Sequence, residues 1–122
     1  MIIFQQRVFP QDIQSNPCVY YIIADNDARA GHTVYRNCEN VIGVRVKKDE
    51  YNKDDSFWSD LTFEDNMNKF KHDFRAVRTL VKHQVPVVFC EALFDVNFDE
   101  YAKISPKTSN QILEHLKFKL EM

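Results

Sequence analysis

The side chains best suited to chemistry gather just after an apolar run. Cys18–Ala24 is followed at once by Asp25-Asn26-Asp27, and then by Arg29, Gly31, His32, Arg36 and Asn40. Arginines close to a flexible backbone turn suit phosphate or carboxylate, because the guanidinium fork grips two oxygens together. A second polar segment, Glu91-Ala92-Leu93-Phe94-Asp95, follows the apolar run Val85–Cys90. In open α/β sheets ligands collect at the carboxyl ends of the strands. If the two runs are neighbouring strands, Asp25, Asn26, Glu91 and Asp95 converge on one rim that could carry a ligand or a metal ion. The plainer alternative is that Asp25 and Asn26 end a strand and cap the next turn, as short polar side chains do.

Two further groups of residues could bind something. Trp58, the only tryptophan, lies in Ser56-Phe57-Trp58-Ser59-Asp60; it either plugs the bottom of the sheet or stacks on a flat ligand. With Asp25, Asn26, Arg29, Gly31, Arg36 and Asn40 it makes up a candidate ligand set for a nucleotide-like molecule. From Glu91 to Glu100 there is no Lys or Arg. Glu91, Phe94, Asp95, Phe98, Asp99, Glu100 and Tyr101 interleave acids with aromatics, a pattern that could dock on a basic protein surface or form an ordinary acidic loop. His32 and Cys38 have no orienting third group, so no catalytic residue is assigned. His72, His83 and His115 show no metal-ligand spacing, and Cys18, Cys38 and Cys90 no CxxC pair. No metal or cofactor is expected.

The elements that must position these residues can be read in outline. Ile2–Val8 alternates as a strand, Gln11–Pro17 is a connection, and Cys18–Ala24 is a continuous apolar strand of the kind buried on both faces. A short helix spans about Gly31–Arg36, a third strand Val41–Val46, and a solvated loop Lys47–Ser56. Phe63, Met67, Phe70, Phe74, Val77 and Val81 recur at steps of three and four, one apolar stripe of a long helix. Asp60 or Thr62 would cap its start, and Pro86 forbids its continuation. A short apolar strand, Val85–Cys90, comes next. Asn97–Ile104 forms a short helix, and Ser105-Pro106 opens the last one, which buries Ile112, Leu113, Leu116 and Leu120. The sum is an α/β fold, a compact mixed sheet of about four strands packed by two main helices.

Composition sets the limits. The 122 residues amount to one domain, residues 1–122, with 44% hydrophobic residues for its core. Three widely spaced cysteines fit reduced thiols in a cytoplasmic protein. The N-terminus has no signal-peptide pattern, and no run reaches the length of a membrane span. A net charge of −2 gives no general attraction to phosphate backbones, so nucleic acid is not an expected partner.

The order Asp25-Asn26, Arg29, Gly31, Arg36, Asn40, Ile42-Gly43, Lys47-Lys48, Ser56-Phe57 and Asp60, then Val87-Val88 and Pro106-Lys107, resembles a family of small, largely uncharacterised tailed-phage proteins. It has a more distant likeness to macro-type ADP-ribose modules, which implies a nucleotide or ADP-ribose-like ligand at the strand ends. The family's loop glycines are mostly replaced here. Ala28, Ala30 and His32 surround Gly31, and Ala92–Val96 holds none. Glycine lets backbone approach a phosphate closely, so bulkier loops favour a protein partner. The resemblance then implies a non-enzymatic accessory protein in the host cytoplasm. It would bind and inhibit a host protein, for host takeover or anti-defence. A module that binds or hydrolyses a nucleotide-like small molecule is the alternative.

Overall fold

The computed structural model describes residues 2–120, with side chains through Lys117; the burial expected of Leu120 lies outside the described side chains. Strands β1 (Ile2–Gln5), β2 (Tyr20–Asn26), β3 (Val41–Lys47) and β4 (Val87–Cys90) form one sheet in the order β1-β4-β2-β3. The α/β class and the four strands agree with the sequence reading. All three pairings are parallel, which corrects the mixed sheet. The reason is in the connections, since each carries a helix that returns the chain to the same end of the sheet. These are α1 (Pro10–Ser15), α2 (Thr33–Arg36) and α3 (Phe63–Lys82). After β4 come α4 (Phe98–Ile104) and α5 (Pro106–Leu120). Among the described residues no helix is long and apolar enough to cross a membrane.

Strand position explains strand composition. β2 and β4 are central, and their inner residues are buried whichever way they point, so both read as unbroken apolar runs. On one face Ile22, Ala24, Val44, Val46, Val87 and Phe89 pack against α3, α4 and α5 through Phe70, Phe74, Val77, Tyr101, Ile112 and Leu116. On the other, Tyr21, Ile23, Val88 and Cys90 meet Val8 and Ile13, with Tyr35 and Cys38 at the margin. Burial pushes the Cys90 thiol up to about 12, which leaves it a packing residue rather than a nucleophile. The expected stripe of α3 holds, with Met67, Phe70, Phe74 and Val77 buried and Phe63 and Val81 partly so.

Several boundaries differ from the sequence reading. β1 stops at Gln5 instead of Val8. α1 replaces part of the polar connection, with Pro10 at its first position and Asp12 accepting the Phe9 N–H at 2.8 Å. β2 does not end at Ala24: Asp25 pairs with Arg45 and Asn26 with Lys47 across an irregularity in register. The two polar residues belong to the strand and are 2% and 4% exposed.

Asp60 does not cap α3, the next long helix. Its Oδ1 accepts the Thr108 N–H at 2.8 Å and the Thr108 hydroxyl at 2.7 Å, and its Oδ2 accepts the Lys107 N–H at 3.1 Å. It therefore caps α5, where unpaired N–H groups and the dipole favour an anion. Ser105, expected in that role, instead donates its hydroxyl to the Trp58 carbonyl. Thr62 makes no side-chain cap to α3 and donates to Asn66. Asp60→Ala is expected to lower stability by about 2 kcal/mol, read from a urea midpoint. Burial alone would raise the Asp60 carboxyl, but the Thr108 hydroxyl and the two N–H donors hold it below the ordinary value. A depressed carboxylate contributes above its unfolded range and loses that contribution as pH falls through its folded value. The acid limb of the stability curve is therefore expected to be shallower in Asp60→Asn than in the parent chain.

Candidate functional site

The chain leaves β2 toward one face, into α2, and leaves β4 toward the other, into α4. Adjacent parallel strands whose exits diverge in this way open a crevice at their carboxyl ends. A cavity of about 250 Å³ lies there. It is lined by three strand ends and the loops that follow them: Asp25 and Asn26 at the end of β2 with Gly31 and His32 beyond, Lys47 at the end of β3 with Glu50 and Tyr51 beyond, and Asp95 after β4.

The first wall is held by Asp25 and Arg36. Arg36 Nη1 meets Asp25 Oδ1 at 2.6 Å, while Nη2 donates to the Ala30 carbonyl at 2.9 Å and the Gly31 carbonyl at 3.0 Å; Nε also reaches Gly31 O, at 3.2 Å. The Asn26 amide closes the same loop from within, donating to Ala30 O at 2.9 Å and accepting Ala30 N–H at 3.1 Å. Arg29, Gly31 and His32 all take left-handed φ, at 54°, 78° and 50°, which coils the loop tightly. Gly31 is needed twice, for its φ and because a Cβ there would lie 3.1 Å from Glu50 Cβ. Gly43 on β3 makes room for the Asp25 carboxylate: a Cβ would meet Oδ2 at 2.8 Å.

The other walls are cross-linked. His32 Nε2 lies 3.2 Å from Asp95 Oδ1, and this contact holds the Asp95 carboxyl below its ordinary value against the opposing effect of burial. Lys47 is 2% exposed and donates to Tyr51 O at 2.7 Å and Asn52 Oδ1 at 3.1 Å. Burial lowers its ammonium pKa, opposed by Asp95, Asp49 and Glu50. Asn52 completes the ring by donating to Asp95 O and accepting the Asn97 N–H, both at 3.0 Å. Glu50 sits on this ring with Oε2 closed to solvent, and its carboxylate beside the Tyr51 hydroxyl raises that phenol above its ordinary value. Among the described residues no three His, Cys, Asp or Glu side chains form a metal-holding group.

Of the seven residues in the candidate ligand set, Asp25, Asn26 and Gly31 line the cavity, and Arg36 stands behind them. Arg29 reaches Asp25 Oδ2 at 3.6 Å with a side chain 66% exposed, outside the lining. Asn40 lies at the opposite end of the sheet, where its amide donates to the carbonyls of Ile13, Asn16 and Val19. Trp58 is 2% exposed within the core, so of its two expected roles it plays the plug. In the acidic-aromatic segment, Phe94 and Tyr101 are buried at 9% and 0% and Phe98 packs against the same core. Phe94 and Tyr101 therefore cannot face a partner, and Phe98 is only partly covered. Glu91, Asp95 and Asp99 remain exposed, and Glu100 pairs with Lys103 at 3.0 Å. Lys47 and Glu50 of the cavity were not grouped by sequence reasoning with Asp25, whereas Asp95 was, on the shared strand-end rim. The first two sit in a stretch whose charge balance reads only as a solvated loop.

A family of unknown function (DUF7831) matches residues 3–115, and the chain belongs to it. No curated protein and no solved structure matches the chain.

Proposed function

We propose that this member of the DUF7831 family is a small-molecule binding module whose site is the cavity at the carboxyl ends of β2 and β4. One observation carries the reading: loops after three strands enclose a space of about 250 Å³ with Asp25, Asn26, His32, Lys47, Glu50 and Asp95 on its walls. That volume is near the lower end for small-molecule sites, which suits one compact polar ligand. The polar groups are fixed in advance by Arg36 and Asn52, so little ordering is required on binding.

Docking on a host protein, the accessory role in a phage that the family resemblance implies, is the second reading. The exposed carboxylates of Glu91, Asp95 and Asp99 favour it, but the burial of Phe94 and Tyr101 removes the apolar anchors such an interface needs. A thermal-shift screen with sugars, nucleosides, nucleotides and amino acids separates the two. A ligand present at a hundred times its Kd is expected to stabilise the chain by about 2.7 kcal/mol. If every compound leaves the melting temperature unmoved at millimolar concentration, the small-molecule reading fails and protein docking takes its place.

A further inference from the structure

The two edges of the sheet differ. At β3 the outer edge is closed: Asp73 Oδ2 accepts the Arg45 N–H at 2.9 Å, and the same carboxylate clamps the Arg45 guanidinium at 2.8 and 3.1 Å. Charged groups placed on an edge in this way stop a further strand from pairing there. β1, the other edge, has no such guard among the described residues. Ile2–Gln6 carries no charge, and Ile3 and Phe4 are 44% and 49% exposed.

The hydrogen-bond phase of the sheet fixes which groups that edge presents. The Tyr20 N–H donates to the Pro86 carbonyl at 3.0 Å, and β2 sets Tyr20 beside Val87 and Ile22 beside Phe89. The main-chain groups of Val88 and Cys90 therefore turn toward β2. Those of Val87 and Phe89 turn toward β1, because successive residues of a central strand bond to opposite sides. Val87 and Phe89 stand beside Ile2 and Phe4, so they bond to the residues that flank these, Ile3 and Gln5. The N–H and C=O groups of Ile2 and Phe4 are left facing outward.

A second copy of β1 satisfies these groups with its own. With a two-fold axis through Ile3, Ile2 of one copy lies opposite Phe4 of the other, and each such pair exchanges both N–H···O bonds. The two Ile3 side chains meet on the axis. Both kinds of cross-strand pair are then apolar, and Ile2–Phe4 is of the β-branched and aromatic type that stabilises sheets. Phe4 already lies 5.6 Å from Phe89 on that face. The nearest charged side chain in sequence, Arg7, falls outside the paired stretch.

We infer that two copies of the chain associate through β1, antiparallel about a two-fold axis at Ile3, so that two four-stranded sheets become one. The closed edge at β3 ends the sheet on each side, and association stops at a dimer instead of running on as a fibre. A ladder this short lies at the small end of protein interfaces, and the dimer is expected to dissociate on the order of 10–100 µM.

Sedimentation equilibrium of the full chain from about 5 µM to about 0.5 mM tests this, with Ile3→Lys, Ile3→Glu and their equimolar mixture beside the parent. The parent is expected to pass from monomer to dimer across the range. In each variant alone two like charges meet on the axis and weaken association on the order of tenfold or more. In the mixture lysine meets glutamate and the dimer returns. Cross-linking gives an independent reading, with Cys18→Ser as background. Ile3→Cys is expected to form an intermolecular disulfide on oxidation, since directly opposite residues of this kind stand about 4.5 Å apart at Cα; Gln5→Cys is not. A parent that stays monomeric at about 0.5 mM overturns the inference. So do single variants that dimerise as well as the parent, a mixture that stays apart, or a Gln5→Cys chain that cross-links as readily as Ile3→Cys.

Discussion

Arg36→Met is expected to lower the stability of the chain by about 3–5 kcal/mol, the cost of removing one partner from a buried ion pair. Asp25 is only 3% exposed at its side chain and Arg36 16%, so water cannot replace the lost guanidinium. Two loop carbonyls, Ala30 O and Gly31 O, lose their donor in the same step. The exposed Arg29, 3.6 Å from the other Asp25 oxygen, offers little in exchange, because a solvated ion pair is worth about 0–1 kcal/mol. The double variant Asp25→Asn/Arg36→Met no longer buries an unpaired charge and is expected to recover a substantial part of the loss. Urea denaturation of both variants and the parent measures this. A loss below about 1 kcal/mol in the single variant would mean that Asp25 is solvated, and the wall it builds would not be a fixed part of the site.

This pair also marks how far the sequence could be read. Asp25, Asn26, Gly31 and Arg36 were legible as a group because they follow a continuous apolar strand, and the structure does bring them to the end of β2. Their roles were not legible. An arginine in a polar stretch can turn outward to an anion or inward to carbonyls. Only the left-handed turns at Arg29, Gly31 and His32 decide which. Glu50 was hidden for a similar reason. A run with three lysines and four acidic residues looks solvated from end to end. Yet Lys47 is carried into the interior as the last residue of β3, and it draws the loop carbonyl of Tyr51 in after it.

Local signals fared better than remote ones. The apolar stripe of α3, the short helix α4 and Pro106 at the start of α5 all depend on residues a few positions apart. The cap of α5 by Asp60 joins residues far apart in the chain and leaves no periodicity to detect. The order of strands is remote in the same sense. β4, the last strand in sequence, inserts between β1 and β2, and this insertion creates the divergent exits on which the cavity depends. Nothing in the composition of Val87–Cys90 states its neighbours; its continuous apolar character states only that it has two.

Trp58→Ala is expected to cost about 3–5 kcal/mol, as for the loss of a large aromatic from a packed core, and Trp58→Phe about 1–2 kcal/mol. The indole is 2% exposed, and its Nε1 donates to Asp27 Oδ2 at 2.9 Å. Lys69 lies 5.6 Å from the ring centroid and also reaches Asp27, at 3.1 Å. Phenylalanine keeps most of the packing and loses the N–H donor, while Asp27 retains its lysine, so the smaller loss is expected. The two variants also decide between the roles the sequence left open for this residue. A stacking platform would lose ligand affinity when the ring is replaced, with little change in stability. A plug does the reverse. Trp58→Phe is therefore expected to melt at a lower temperature while showing the same ligand-induced shift as the parent. An unchanged melting temperature with a lost shift would move Trp58 into the site and redraw the cavity's boundary.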